Sequence, residues 1–189
     1  MEPRGREPGR PSRREPDLRR AGRLTEGLGS AAVPPLRSSD HLRGADDAPL
    51  VIVYADFECP FCAVIEARLT SLPVRRVFRH FPVRSKHPRA WPAACAAEAA
   101  ARLEKFWPMH DALFADQGRL EDPHLWERAR DLGLDVKEFE ALRRSDEVVE
   151  RVTGDFREGI RAGVVATPTL FVEGRRLIGD EISAWTAGL

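Results

Sequence analysis

The chain has 189 residues, a mean hydropathy of −0.39 and 30 basic against 30 acidic side chains. That length suits one domain able to bury a core without staples. Zero net charge supplies no global field toward nucleic acid or a membrane surface. No apolar run approaches the ~18 residues of a membrane helix, and three cysteines are too few for a disulfide scaffold.

Residues 1–39 are rich in Pro, Gly and Arg with almost no apolar periodicity, the pattern of a disordered tail. Its arginines could tether nucleic acid or anionic lipid. The acids mixed among them and the absence of aromatics favour a solvated tail. The stretch Met1–Leu24 lacks the apolar core of about 7–15 residues that a secretory signal needs. The expectation is therefore a cytoplasmic protein, in a compartment that keeps thiols mostly reduced.

The folded domain is expected over residues 40–189. Leu50–Tyr54 is apolar throughout and reads as a central strand. A polar turn and then a helical pattern follow, from Cys59 to about Ser71, ended by Pro73. Val74–Phe81 reads as a second strand, and a strand–helix–strand crossover implies parallel pairing. Next comes a run of helices over about residues 88–162. Pro88–Glu104 is Ala-rich and Phe106–Asp116 carries an apolar face. Asp122-Pro123, Asp135 with Glu138, and Ser145 are start signals for three more helices, the last closed by Gly163. Thr169–Glu173, the turn at Gly174 and Arg176–Ile178 form a hairpin. A short helix from Asp180 ends the chain.

The chemistry concentrates at Cys59-Pro60-Phe61-Cys62. Strand, turn, Cys-x-x-Cys and helix is the context in which this spacing reads as a redox pair. A cysteine at a helix N-terminus faces unpaired backbone N–H groups and the positive end of the helix dipole, which stabilise a thiolate. The thiolate is the nucleophile of disulfide exchange. The alternative is half of a zinc site, but structural zinc usually needs a second pair, and Cys95, His80, His87 and His110 show no such spacing. Cys95 in its Ala-rich helix is most simply a small core residue. Cys59 is expected to be exposed and Cys62 largely buried. Asp56 or Glu58 could assist Cys62, although capping the turn is the simpler role for both.

Four stretches resemble the DsbA-like branch of the thioredoxin-like superfamily, in the right order. They are Ala48–Cys62, Phe78-Arg-His-Phe-Pro82, Phe106–Phe114 and Gly163–Gly174, and the resemblance covers about Asp40 to Ile178. It implies an α/β thioredoxin fold, a central mixed sheet flanked by helices, with a helical insertion between its two halves. It implies a protein thiol–disulfide oxidoreductase with Cys59 as attacking thiolate and Cys62 as resolving thiol. Beyond the redox-active disulfide itself, no cofactor and no metal are implied. Partners would be protein or peptide thiols and disulfides, with a thiol reductant such as thioredoxin or glutathione, and no nucleic acid.

Thr167-Pro168 resembles the cis-proline loop that faces the cysteine pair in this superfamily. A cis bond there would turn the Thr167 backbone toward an extended substrate peptide. Pro60, Phe61, Thr167 and Pro168 are thus the expected substrate-binding residues. Strongly oxidising relatives carry Pro-His between the cysteines, whereas Pro60-Phe61 is closer to glutaredoxins. Phe61 neither donates a hydrogen bond nor carries charge, so the expected potential lies below that of the periplasmic oxidase. The acid that thioredoxin-like proteins often bury six residues before the first cysteine is Val53 here. Two other readings stand beside this one. One is a redox-sensing regulatory or binding module. The other is an isomerase or a glutathione-transferase-like enzyme of the same superfamily, which usually replaces the first cysteine.

Overall fold

The computed structural model describes residues 33–189. Most of the expected tail therefore lies outside the described residues. The five strands are β1 (His41–Arg43), β2 (Leu50–Ala55), β3 (Arg75–His80), β4 (Thr169–Val172) and β5 (Arg175–Ile178). Seven helices are described: α1 (Pro60–Thr70), α2 (Ala90–Arg102), α3 (Phe106–Ala115), α4 (Asp122–Asp131), α5 (Val136–Arg143), α6 (Asp146–Arg161) and α7 (Asp180–Ala187). They surround one mixed sheet in the order β1-β3-β2-β4-β5.

The sheet follows from its residue pattern. β2 pairs parallel with β3, Ile52 opposite Val77, and antiparallel with β4, Ile52 opposite Phe171. Side chains alternate between faces along a strand. Val51, Val53 and Ala55 accordingly enter one core with α1 and the insertion helices, while Ile52 and Tyr54 enter a second with Phe81, Val164 and Phe171. An unbroken apolar strand suits burial on both faces. This is the thioredoxin fold, with α2–α6 inserted between the crossover β2-α1-β3 and the hairpin β4-β5.

Local signals set the helix ends. Asp135 accepts the Glu138 N–H at 2.8 Å and Ser145 accepts the Val148 N–H at 3.4 Å, so both cap the helices they precede. The start of α4 lies one residue earlier than its sequence signal, with Glu121 as N-cap and Pro123 in the first turn. The alanines of α2 are buried from Ala93 to Ala100 except at Cys95 and Glu98, which are buried too, and this thin helix packs against α3, α4, α5 and α6. Gly159 of α6 marks a second close approach. A Cβ there would lie 2.7 Å from Cδ2 of Phe81 and 3.0 Å from Cδ1 of Tyr54.

Two features have no strong sequence signal. β1 is a three-residue edge strand, antiparallel to β3, in a stretch for which the sequence predicts no strand. The residues before it pack on the domain. Pro34 is buried, Arg37 bonds Asp155 at 2.6 Å, and the Pro35 carbonyl accepts from Arg79 at 2.6 Å. Arg79, fully buried on β3, also donates to both oxygens of Asp40 at 3.0 and 2.7 Å, to the Tyr54 hydroxyl at 3.1 Å and to Glu158 at 3.2 Å. These bonds fasten residues 35–40 to β3 and α6.

Candidate active site

The site forms where β2 ends, α1 begins and the loop before β4 crosses them. Cys59 is the N-cap of α1, with φ −80° and ψ 118°, and Pro60 occupies the first helical position. Pro is suited to that position because its missing N–H had no partner there. The Cys59 carbonyl accepts the first helical bonds, from Cys62 N at 3.1 Å and Ala63 N at 3.3 Å. This extended N-cap conformation leaves the Cys59 sulfur at the end of the helix where N–H groups are free.

Both cysteines are free thiols in this structure. Cys62 is fully buried, and Asp56 N–H donates to its sulfur at 3.5 Å. The expected exposure of Cys59 needs correction, since only 4% of its surface is accessible. The reason is the loop before β4. The Thr167–Pro168 bond is cis, and the Cys59 thiol donates to the Thr167 carbonyl at 3.4 Å, tucked beneath that loop. Pro60 is exposed and Phe61, 72% exposed, forms the outer rim.

Electrostatics separate the two sulfurs. Cys59 is pulled down to about 6, chiefly by a hydrogen bond from the Cys62 thiol. Burial opposes this, and the Thr167 side chain and the backbone N–H groups of Cys62 and Phe61 reinforce it. Cys62 moves the other way, pushed well up by burial and by the neighbouring Cys59. One thiol is thus readied as a thiolate beside another that keeps its proton, the asymmetry that attack and resolution require. Burial raises Cys95 to about 11, which makes it a poor nucleophile.

The acids of the turn are structural. Asp56 is buried and accepts from Glu58 N, Val83 N and His87 Nδ1, each at 2.8 Å. Glu58 accepts from Arg89 N at 2.6 Å and Arg89 Nε at 2.9 Å. Together they tie the turn to the segment leading into α2. Gln117, in the turn after α3, donates its side-chain amide to the carbonyls of Phe57 at 2.8 Å and Cys59 at 2.9 Å. Sequence reading passed over Gln117, because nothing local distinguishes a glutamine in a turn between helices.

Among the described residues, His41, His80 and Glu98 bring potential metal-ligand atoms within 4.8 Å of one another. Their geometry is that of a hydrogen-bond network. Both histidine Nε2 atoms meet the same Glu98 oxygen, at 2.7 and 2.8 Å, so both must carry the proton. Arg151 Nε lies 3.6 Å from that oxygen, and buried His80 Nδ1 has no partner to orient its ring as a ligand. Burial alone would raise the Glu98 carboxyl, but the two histidines hold it well below the usual carboxylate range. His110, another histidine weighed as a ligand, packs against Phe57 and Phe78.

The thioredoxin family model matches residues 37–187, which is nearly the whole described chain. The chain belongs to the thioredoxin family. Among solved structures, a thioredoxin-like oxidoreductase from Silicibacter pomeroyi shares 25% identity at a TM-score of 0.71, covering 80% of this chain and 90% of that one. The thiol-disulfide exchange protein alpha-DsbA2 of Wolbachia pipientis superimposes with a TM-score of 0.70 at 19% identity, over 80% of this chain and 86% of that one. The chain thus shares its fold with both structures over about four fifths of its length. Among curated proteins, the Na(+)/H(+) antiporter NhaA of Herminiimonas arsenicoxydans is 43% identical over 169 residues, 85% of this chain and 27% of the antiporter. The chain spans about a quarter of the length of the curated relatives it matches. No helix described here is long and apolar enough to cross a membrane.

Proposed function

We propose that this protein exchanges disulfides with protein substrates through Cys59 and Cys62. The observation that carries the reading is the placement of the Cys59 sulfur at the N-terminus of α1, 3.4 Å from the carbonyl of Thr167 in the cis-proline loop. The Cys59 thiolate attacks one sulfur of a substrate disulfide, forms a mixed disulfide and expels the other sulfur as a thiolate. Cys62 then gives up its proton and attacks the Cys59 sulfur, expelling the second substrate thiolate. The substrate gains two electrons and two protons, and the enzyme is left with a Cys59–Cys62 disulfide. The reverse sequence oxidises a substrate dithiol. The sulfurs carry both electrons, so the reading calls for no metal or organic cofactor.

An extended substrate segment lies along Thr167 and Pro168, pairing with the loop backbone in β-fashion, with Pro60 and Phe61 as the opposing rim. A thiol reductant, such as glutathione or a thioredoxin, resets the pair. The test is substitution of each cysteine, read by reduction of insulin disulfides and by oxidative refolding of a reduced protein. Cys59→Ser abolishes both activities. Cys62→Ser accumulates a substrate-linked adduct that dithiothreitol releases. Full activity in Cys59→Ser would contradict the assignment.

A second reading rests on the antiporter relatives, which are longer proteins at 38–43% identity. In it, the same pair is a redox-responsive module acting on a membrane transporter rather than a general exchanger. This predicts slow turnover on insulin together with a defined disulfide-dependent association with such a transporter.

A further inference from the structure

We propose that Gln117 is a positioning residue for the nucleophile: from the helical insertion it holds the Phe57 and Cys59 carbonyls and fixes how Cys59 presents its sulfur. The inference rests on the exchange reading above and extends it to a residue outside both the Cys pair and the cis-proline loop.

The geometry allows one assignment of the amide. Both partners, Phe57 O at 2.8 Å and Cys59 O at 2.9 Å, are carbonyl oxygens that can only accept. The nitrogen of Gln117, with two N–H groups, must therefore face them. One side chain thereby spans the active-site turn on either side of Glu58. It comes from a segment 58 residues further along the chain than Cys59. Its neighbour Gly118 accepts from Arg89 Nη1 at 3.1 Å, and Arg89 in turn grips Glu58. The insertion thus clamps residues 57, 58 and 59 together.

The chemical consequence lies at Cys59. Its carbonyl dipole sits within the same residue as the reacting sulfur, and a negative oxygen close to a thiolate disfavours it. A further donor on that oxygen, beside the helical N–H groups of Cys62 and Ala63, and another on Phe57 O, draw negative charge away from the sulfur. They also hold the extended N-cap conformation that keeps the sulfur at the helix N-terminus. The other polar groups around the turn already have partners. Asp56 is bound by Val83 N and His87, Glu58 by Arg89, and Cys62 by Asp56 N. Gln117 is the remaining donor aimed at this turn from the insertion among the described residues.

The test is a charge series at one position: Gln117→Leu, Gln117→Lys and Gln117→Glu in the full chain. Two readouts apply, the pH profile of Cys59 alkylation and the equilibrium constant with glutathione. Near-UV circular dichroism and thermal melts set aside any variant that has lost the fold. The Leu variant keeps the shape and removes both donors. It should raise the Cys59 midpoint and shift the glutathione equilibrium toward the disulfide by about fivefold, the part of two lost hydrogen bonds that the thiolate feels and the disulfide does not. The Glu variant should move both further in the same direction, and Lys, which keeps a donor and adds a positive charge, should bring both to the native values or beyond them in the opposite direction. A role in packing alone would lower the melting temperature without ordering the midpoints as Glu above Leu above Lys. A native midpoint in a folded Leu variant would overturn the proposal. If instead the native protein forms no Cys59–Cys62 disulfide, the exchange reading fails, while the alkylation series still decides the role of Gln117.

Discussion

Cys59 shows what one position can do when three sources of partial positive charge meet on it. The Cys62 thiol, the Thr167 side chain and the backbone N–H groups of Cys62 and Phe61 all stabilise its thiolate, and they outweigh burial. Alkylation of the reduced protein should therefore follow a single rise with a midpoint near 6, slow below it and level above it. A midpoint near the ordinary thiol value of about 8.5 would contradict this electrostatic account. That Cys59 opens a helix soon after a strand was legible in the sequence, because Cys-x-x-Cys in that context has local causes. Its burial was not, because the covering carbonyl belongs to Thr167, 108 residues away. Asp56 teaches the same lesson. An aspartate two residues before Glu58 looks like a turn cap, and it is one, but it also holds Val83 N and His87. Asp56→Ala leaves these donors without an acceptor and should cost about 2–4 kcal/mol in urea unfolding, since buried unpaired donors are expensive.

Secondary elements were readable wherever periodicity or a cap gave a local signal. β2, β3, the hairpin and the capped helices α5 and α6 all have one. β1 does not. At three residues it is held by pairing with β3 rather than by its own composition. The approach of α6 to the sheet is equally non-local, since Gly159 reads as an ordinary weak helix former. In the fold it faces Phe81 and Tyr54, whose rings are themselves packed edge-on. Gly159→Ala should improve intrinsic helix propensity yet lower stability by about 1–2 kcal/mol, because overpacking two buried rings outweighs the propensity gain. A melting temperature at or above the native one would show that α6 has room to shift.

Across the whole molecule, buried charge joins the segments that sequence separates. Arg79 links residues 35–40, β2, β3 and α6 through Asp40, Tyr54, Glu158 and the Pro35 carbonyl. Arg79→Met leaves the fully buried Asp40 side chain with Arg37 as its remaining partner and should cost about 2–4 kcal/mol, toward the lower end of breaking a buried pair. The same network sets an acid limit. Burial raises Asp40 and Glu98, yet the bonds from Arg79 and Arg37, and from His41 and His80, leave both carboxyls below their ordinary values. A carboxyl depressed by folding contributes stability that is complete above its unfolded value of about 4 and is lost as pH falls through the folded one. Stability to urea should thus hold to about pH 4 and then decline steadily, and a maximum below pH 4 would contradict the network.

The proposed exchange rests on one sulfur pair whose state can be read directly. Equilibration in glutathione buffers, followed by trapping of free thiols, gives the reduction potential of Cys59–Cys62. A thiolate near 6, with Phe61 rather than a charged residue beside it, predicts a reversible disulfide at about −180 to −270 mV, between protein disulfide isomerase and thioredoxin. Failure to form that disulfide at any glutathione ratio would contradict the account at its centre.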